Sequence, residues 1–253
     1  VTGRARAPRS AALLALASAG ALTALSGCGS EDPDAGTNGV GKLSAGTIEK
    51  KARTASERAR SVRVSGSVVS KGHTYRLTMR LRSDGGVGKV SAKGGSAFQL
   101  LRVDRDLYLK AGTGFWAQQE GGKEPGKSDV AAAGKLKGKY VKVPSSDPAY
   151  KQLSVFTDMN TLLDGLLAME GKRETGERGE VGGTRTVRVT AGGGRGGTVD
   201  VSLEGNPYPL RLQRAGGAGT VRLTDWNDSF ALHAPKKQDT VDYGKKISPE
   251  RTG

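Results

Sequence analysis

The sequence predicts an α+β fold in which an antiparallel sheet of short strands, joined by glycine-rich turns, carries helices on one face. Three observations lead there. His73–Arg82 alternates strictly, with Tyr75, Leu77, Met79 and Leu81 on one side and Thr74, Arg76, Thr78, Arg80 and Arg82 on the other, the period of a half-buried strand. Similar short segments follow one another with a turn between each pair, the pattern of a meander. Only two stretches carry a helical period, and a chain with 35% hydrophobic residues and 39 glycines has a modest core and many turns.

The chain opens with Arg4, Arg6 and Arg9, no acidic residue, and an apolar run over residues 11–25 that ends in Leu25-Ser26-Gly27-Cys28. A positive start, an apolar middle and small residues at the end are the layout of an export signal. Leu-Ser-Gly-Cys also resembles a bacterial lipobox, in which a signal peptidase cuts between Gly27 and Cys28 and the freed cysteine carries a diacylglyceryl group on its sulfur. A spanning helix needs about 20 apolar residues, and this run is shorter, rich in alanine and broken by Gly20 and Gly27. The reading is therefore a signal peptide over 1–27 and a lipid anchor on Cys28, the only cysteine, which leaves no disulfide framework and no thiolate metal site. The expected location is the extracytoplasmic face of the cell membrane. Residues 28–43, rich in Gly, Asp and Asn, read as a flexible polar tether.

The folded domain is expected over 44–243. A first helix begins at Ser44 or Thr47 as cap, with Ile48, Ala52, Ala55 and Ala59 on one side and Lys50, Lys51, Arg53, Glu57, Arg58 and Arg60 on others. Val62, Val64 and Val68 belong to the strand before His73–Arg82, and Ser70-Lys71-Gly72 is the turn between them. Asp84-Gly85-Gly86 leads into a strand over 87–93, and Gly94-Gly95 into one over 97–103. Asp104-Arg105-Asp106 turns into 107–110, and residues 112–114 turn into an extended Phe115-Trp116. Residues 120–138 break the rhythm with Gly, Lys and Pro and read as a loop or partly helical insertion, and 140–143 is a short extended piece. The second helix is better marked: Asp158 caps it, Met159, Leu162, Leu163, Leu166 and Leu167 form one apolar face, and Gly171 ends it. Strands return over 172–181, 184–190, 198–204, 210–214, 220–224 and 229–232. The tail 244–253 is polar and reads as disordered.

Three segments in this order, Val64 to Ser70, Asn206 to Leu212 and Thr224-Asp225-Trp226, together with the lipobox and the leucine-rich helix, resemble the LolA-like lipoproteins of actinobacteria, of the LprG-LppX type. The resemblance implies a strongly curved sheet, a half-barrel with helices covering its concave face, and a cavity there for an apolar ligand, a lipid or acylated glycolipid. Burying acyl chains is favourable by about 0.8 kcal/mol per methylene. The side chains expected to line such a cavity are Tyr75, Leu77, Met79, Leu81, Phe98 and Leu100 from the sheet and Leu162, Leu163, Leu166 and Leu167 from the helix. The other reading is that these residues pack on one another, and that the same scaffold, without a cavity, is an envelope interaction or sensing module.

Nothing in the sequence points to an enzyme or a cofactor. Gly192, Gly194 and Gly197 spell G-x-G-x-x-G, but a strand pattern follows where the dinucleotide fingerprint needs a helix, so a hairpin turn is expected. His73 and His233 stand apart from other ligand types. Asp104 with Asp106, and Asp158 with Asp164, form no matched acid and base. The net charge is +15, of which Arg4, Arg6 and Arg9 supply three, leaving +12 after cleavage. With aromatics at 5%, base-stacking platforms for nucleic acid are not expected. An exported basic protein meets anionic lipids and envelope polymers as partners.

Overall fold

The structure, a computed structural model, describes residues 34–70, 72–92, 95–117 and 127–242. The expected signal peptide, Gly27 and Cys28 with their processing, the first part of the tether and the tail 244–253 lie outside the described residues.

Twelve strands of the described residues form one sheet. A first meander comprises β1 (Ser61–Ser70), β2 (His73–Arg82), β3 (Gly85–Ala92), β4 (Ala97–Val103) and β5 (Asp106–Ala111), with β6 (Tyr140–Val143) added beside β5. A second comprises β7 (Arg173–Val181), β8 (Thr184–Ala191), β9 (Thr198–Ser202), β10 (Pro209–Gln213) and β11 (Thr220–Thr224). The meanders join where β1 pairs antiparallel with β11, Val64 opposite Leu223. With β12 (Thr240–Val241) parallel to β6, the strand order is β12-β6-β5-β4-β3-β2-β1-β11-β10-β9-β8-β7.

Because strand side chains alternate, the pairing lines up apolar rows on one face. Val62 stands opposite Leu81, Val64 opposite Met79, and Leu77 opposite Val90. Five helices contribute to the core on that face: α1 (Ala45–Glu57), α2 (Thr113–Ala117), α3 (Lys127–Leu136), α4 (Pro148–Ser154) and α5 (Met159–Leu167). From α1 come Ile48 and Ala52; from α5 come Met159, Leu162, Leu163, Leu166 and Leu167, all buried. Gly86 and Gly88 make close packing possible, since a Cβ at Gly86 would lie 2.5 Å from Leu81 Cδ2 and one at Gly88 would lie 2.6 Å from Met79 Sδ. The other face of the sheet carries a smaller cluster of Leu101, Tyr108 and Leu232 with Phe230 beside it.

The expected half-barrel is not what forms. The sheet is mixed, open between β7 and β12, and neither closed nor strongly curled. Curling needs bulges and shear placed at intervals. Here the register runs unbroken from β1 to β6, and shifts occur only at Thr175/Arg178 and Pro209/Arg211.

Local differences have local causes. Residues 34–43, assigned by composition to the tether, are packed on the domain: Val40 is buried in the core, Asp34 accepts from Arg178 Nη2 at 2.7 Å, and Asn38 Nδ2 donates to the carbonyls of Ser202 and Gly205 at 3.1 Å each. The Gly-Asp-Asn composition here makes tight turns, with Gly39 at φ 77°, rather than a free coil. Phe115 and Trp116 sit in the short helix α2 rather than a strand. Residues 229–232 form no strand; Leu232 is instead buried with Leu101 and Tyr108 on the far face of the sheet. Helix α4 has no counterpart in the sequence reading, although Asp147 caps it, accepting from Ala149 N at 2.7 Å, with Pro148 at its first position.

Candidate functional site

The ten residues expected to line a ligand space come together. Leu77, Met79, Leu81 and Leu100 are wholly buried, Leu162, Leu163, Leu166 and Leu167 are between 3% and 7% exposed, and all eight share one core cluster, with Tyr75 and Phe98 half-buried against it. Sheet and α5 therefore meet through packed side chains along their centre. Leu163 and Leu167 also border a small cleft of about 200 Å3 that they share with Arg53, Ser56 and Asp164.

Burial is not uniform along that face. Toward the β1–β2 turn, Val68, Tyr75 and Phe98 are only half-buried, and helix residues Phe115, Leu136 and Leu153 and the turn residue Phe156 are equally half-covered. The rings form two groups: Tyr75 and Phe156 have centroids 5.9 Å apart, and Phe98 lies 5.3 Å from Phe115, which meets Trp116 edge-on at 5.3 Å. Val155, next to Phe156, is 40% exposed. The buried Nε1–H of Trp116 has no hydrogen-bond acceptor among the described residues. The buried Nε1–H of Trp226 is in the same state, and a buried donor without a partner costs on the order of 1–3 kcal/mol.

At the opposite end a charged clasp holds the helices to the sheet. Arg102 lies on the apolar face of β4, in the row of Gly86 and Leu107. Its Nη2 donates to the Thr157 carbonyl at 3.0 Å and to Asp158 Oδ2 at 3.3 Å, and its Nε donates to Thr157 Oγ1 at 3.2 Å. Asp158 in turn caps α5, its Oδ1 accepting from Thr161 N at 2.9 Å, as the sequence indicates. A cation in an apolar row is tolerated because its donors are satisfied.

Sequence reasoning missed Phe115, Trp116, Phe156 and Arg102. The two neighbouring aromatics read as strand, and Arg102 continues the alternation of 97–103 only if a charge is admitted on the inner face. Among the described residues no group of three or more His, Cys, Asp or Glu side chains is placed to hold a metal, and no helix is long and apolar enough to cross a membrane. Residues 192–197, glycine except for Arg195, form the connection between β8 and β9. His73 and His233 are both exposed.

No protein-family model matches the chain, and no curated protein matches its sequence. Among solved structures it is similar to LprF from Mycobacterium bovis, at 16% identity over 76% of this chain and 96% of that one, with a TM-score of 0.47. It is also similar to lipoprotein LppX from Mycobacterium tuberculosis, at 14% identity over 74% of this chain and 97% of that one, with a TM-score of 0.42. A third likeness is to an uncharacterized conserved protein from Thermus thermophilus, at 8% identity, 78% and 98% coverage and a TM-score of 0.35. At these scores the likeness carries no inference about function.

Proposed function

We propose that this chain is an envelope lipoprotein, held at the extracytoplasmic membrane face through Cys28, that binds the acyl portion of a lipid or acylated glycolipid at the aromatic end of its helix-sheet layer. The observation that carries the reading is two groups of half-buried rings on the helix-bearing face, Tyr75 with Phe156 and Phe98 with Phe115, the second beside the buried Trp116, whose indole N–H lacks an acceptor among the described residues. Methylenes of an acyl chain would complete the burial of the rings, and an ester or carboxyl oxygen would accept from Trp116. Ligand sites of this kind are largely apolar with few placed polar groups. Binding needs no acid, base or metal, and the reading is of a carrier or receptor rather than an enzyme.

The sealed centre of the core favours a second reading, in which the layer is only a scaffold and the protein acts as an envelope interaction or sensing module. Titration of the full chain with a fluorescent polyene fatty acid separates the two. The acyl-binding reading expects saturable uptake, weakened about fivefold by Trp116→Phe, which keeps the ring and removes the donor, and abolished by Phe98→Asp. No uptake by the folded wild-type chain would leave the second reading.

A further inference from the structure

Outside the core, a cleft of about 690 Å3 opens between α1 and the loops that follow β9 and β11. Its volume falls in the roughly 300–1,000 Å3 range of small-molecule sites. Lys50, Lys51 and Arg58 line it from the exposed side of α1 and its C-terminal cap, and Arg60 follows just before β1. No acidic residue is in the lining. These four cations make no ion pair among the described residues, although the rest of α1 is tied up: Arg53 pairs with Asp164 at 3.4 Å, and Glu49 accepts from Arg173 Nε at 2.7 Å. Glu57 borders the separate cleft beside Arg53.

The opposite wall, Asn206, Pro207, Tyr208 and Asn227, is held by stacking and hydrogen bonds. The Tyr208 ring lies in a parallel stack on Trp226, and the Tyr208 hydroxyl accepts from Asn227 Nδ2 at 2.7 Å. Asn227 is itself fixed: its φ is 65°, its backbone N–H donates to the Ser61 carbonyl at 3.0 Å, and its Oδ1 accepts from the Arg60 N–H at 2.7 Å. The Tyr208 hydroxyl also accepts from Asn206 Nδ2 at 3.5 Å, which leaves its own proton to donate. The two sequence segments that meet here, Asn206 to Leu212 and Thr224 to Trp226, have no part in the acyl site.

We infer that this cleft binds a phosphorylated polyol. A phosphoryl group offers several acceptor oxygens and one to two negative charges, matching two guanidinium forks and two ammonium groups better than the two oxygens and single charge of a carboxylate does. The remaining volume, with Pro207 and the Tyr208 ring as its apolar wall, takes a polyol bearing hydroxyls for the Tyr208 donor and neighbouring amides. The ligand is either the head group of an anionic phospholipid or a free phosphorylated polyol. The inference stands on residues separate from those of the acyl site, and neither fails with the other.

The test is calorimetric titration of the full chain, reconstituted in phosphatidylcholine vesicles, with inositol 1-phosphate, glycerol 1-phosphate, inositol and inorganic phosphate. Both phosphorylated polyols are expected to bind more tightly than inorganic phosphate, and inositol not to bind. Lys51→Gln/Arg58→Gln should weaken binding by about tenfold or more. Tyr208→Phe, which keeps the stack, should weaken it by about threefold with an unchanged melting temperature. Repeating the titration in vesicles that also contain phosphatidylglycerol assigns the source: competition identifies a lipid head group, and undiminished affinity identifies the free compound. Equal heats from inositol and inositol 1-phosphate, or unchanged affinity in the double variant, would overturn the inference.

Discussion

The rings of Tyr208 and Trp226 lie parallel, their centroids 4.5 Å apart and their planes 7° from each other. Tyr208 belongs to the turn between β9 and β10, and Trp226 lies just beyond β11, so the stack ties together two loops at one end of the second meander. Aromatic pairs contribute about 0.5–1.5 kcal/mol beyond their burial. Trp226→Ala, at a half-buried position, should cost about 2 kcal/mol in urea unfolding. An unchanged midpoint would contradict the role given to the stack.

Asp200 on β9 is the buried centre of a second tie. It accepts from Arg188 Nε on β8 at 2.8 Å and from Arg211 Nε on β10 at 2.6 Å, and its side chain is only 4% exposed. The Asp200 carboxylate raises the Arg188 pKa through their hydrogen bond. Asp200→Ala leaves two guanidinium groups facing each other across β9 and should cost about 2–3 kcal/mol, since both arginines keep partial access to water. A shift in midpoint with the same denaturant slope is the expected result.

Acid should loosen the sheet through two other pairs. The Asp84 carboxylate is held below the ordinary range chiefly by its hydrogen bonds from Arg82, and Asp225 chiefly by its hydrogen bond from Arg63. With the folded value lowered, the unfolded chain takes up protons first as pH falls. The stabilisation is thus complete above the ordinary aspartate value of about 4 and is lost as pH drops below it through the folded values. Both carboxylates are partly exposed, so each effect is small. Unfolding measured from pH 7 to pH 2 should decline in that window, and Asp84→Asn/Asp225→Asn should flatten the decline.

Much of this was legible because a local period carries it. The alternation of His73–Arg82 gave β2 with its faces correctly assigned, and the leucine stripe with Asp158 gave α5 and its cap. Curvature was not legible, since it depends on where bulges fall, and the shifts at Thr175/Arg178 and Pro209/Arg211 have no compositional signal. The two-residue strand β12 owes its place to pairing with β6 across about a hundred residues of chain. The packing of 34–43 rests on Val40 and Leu43 in a run otherwise of small and polar residues, with hydrogen bonds at Asp34 and Asn38 that no local pattern announces. For the candidate site, the sheet leucines could be read from period two, but Phe115 and Trp116 lie in a five-residue helix and Phe156 in a turn, with no repeat to mark them, and only their ring contacts in space do.

Anchoring is tested apart from the fold. Cys28→Ala removes the only thiol and should abolish incorporation of labelled fatty acid into the chain and leave the leader uncleaved. Two signals normally secure a stable anchor, and diacylglycerol supplies both chains. Labelling of the variant at wild-type levels would contradict a lipid on Cys28.

The most direct measurement is native mass spectrometry of the full chain released from membranes in mild detergent, compared with its Trp116→Phe variant. The acyl-binding account predicts an added mass that dissociates on collisional activation, is identified as an acyl-bearing lipid, and is depleted in the variant. A folded wild-type protein that carries only its covalent anchor, with no further mass even after incubation with membrane lipid extract, would contradict it.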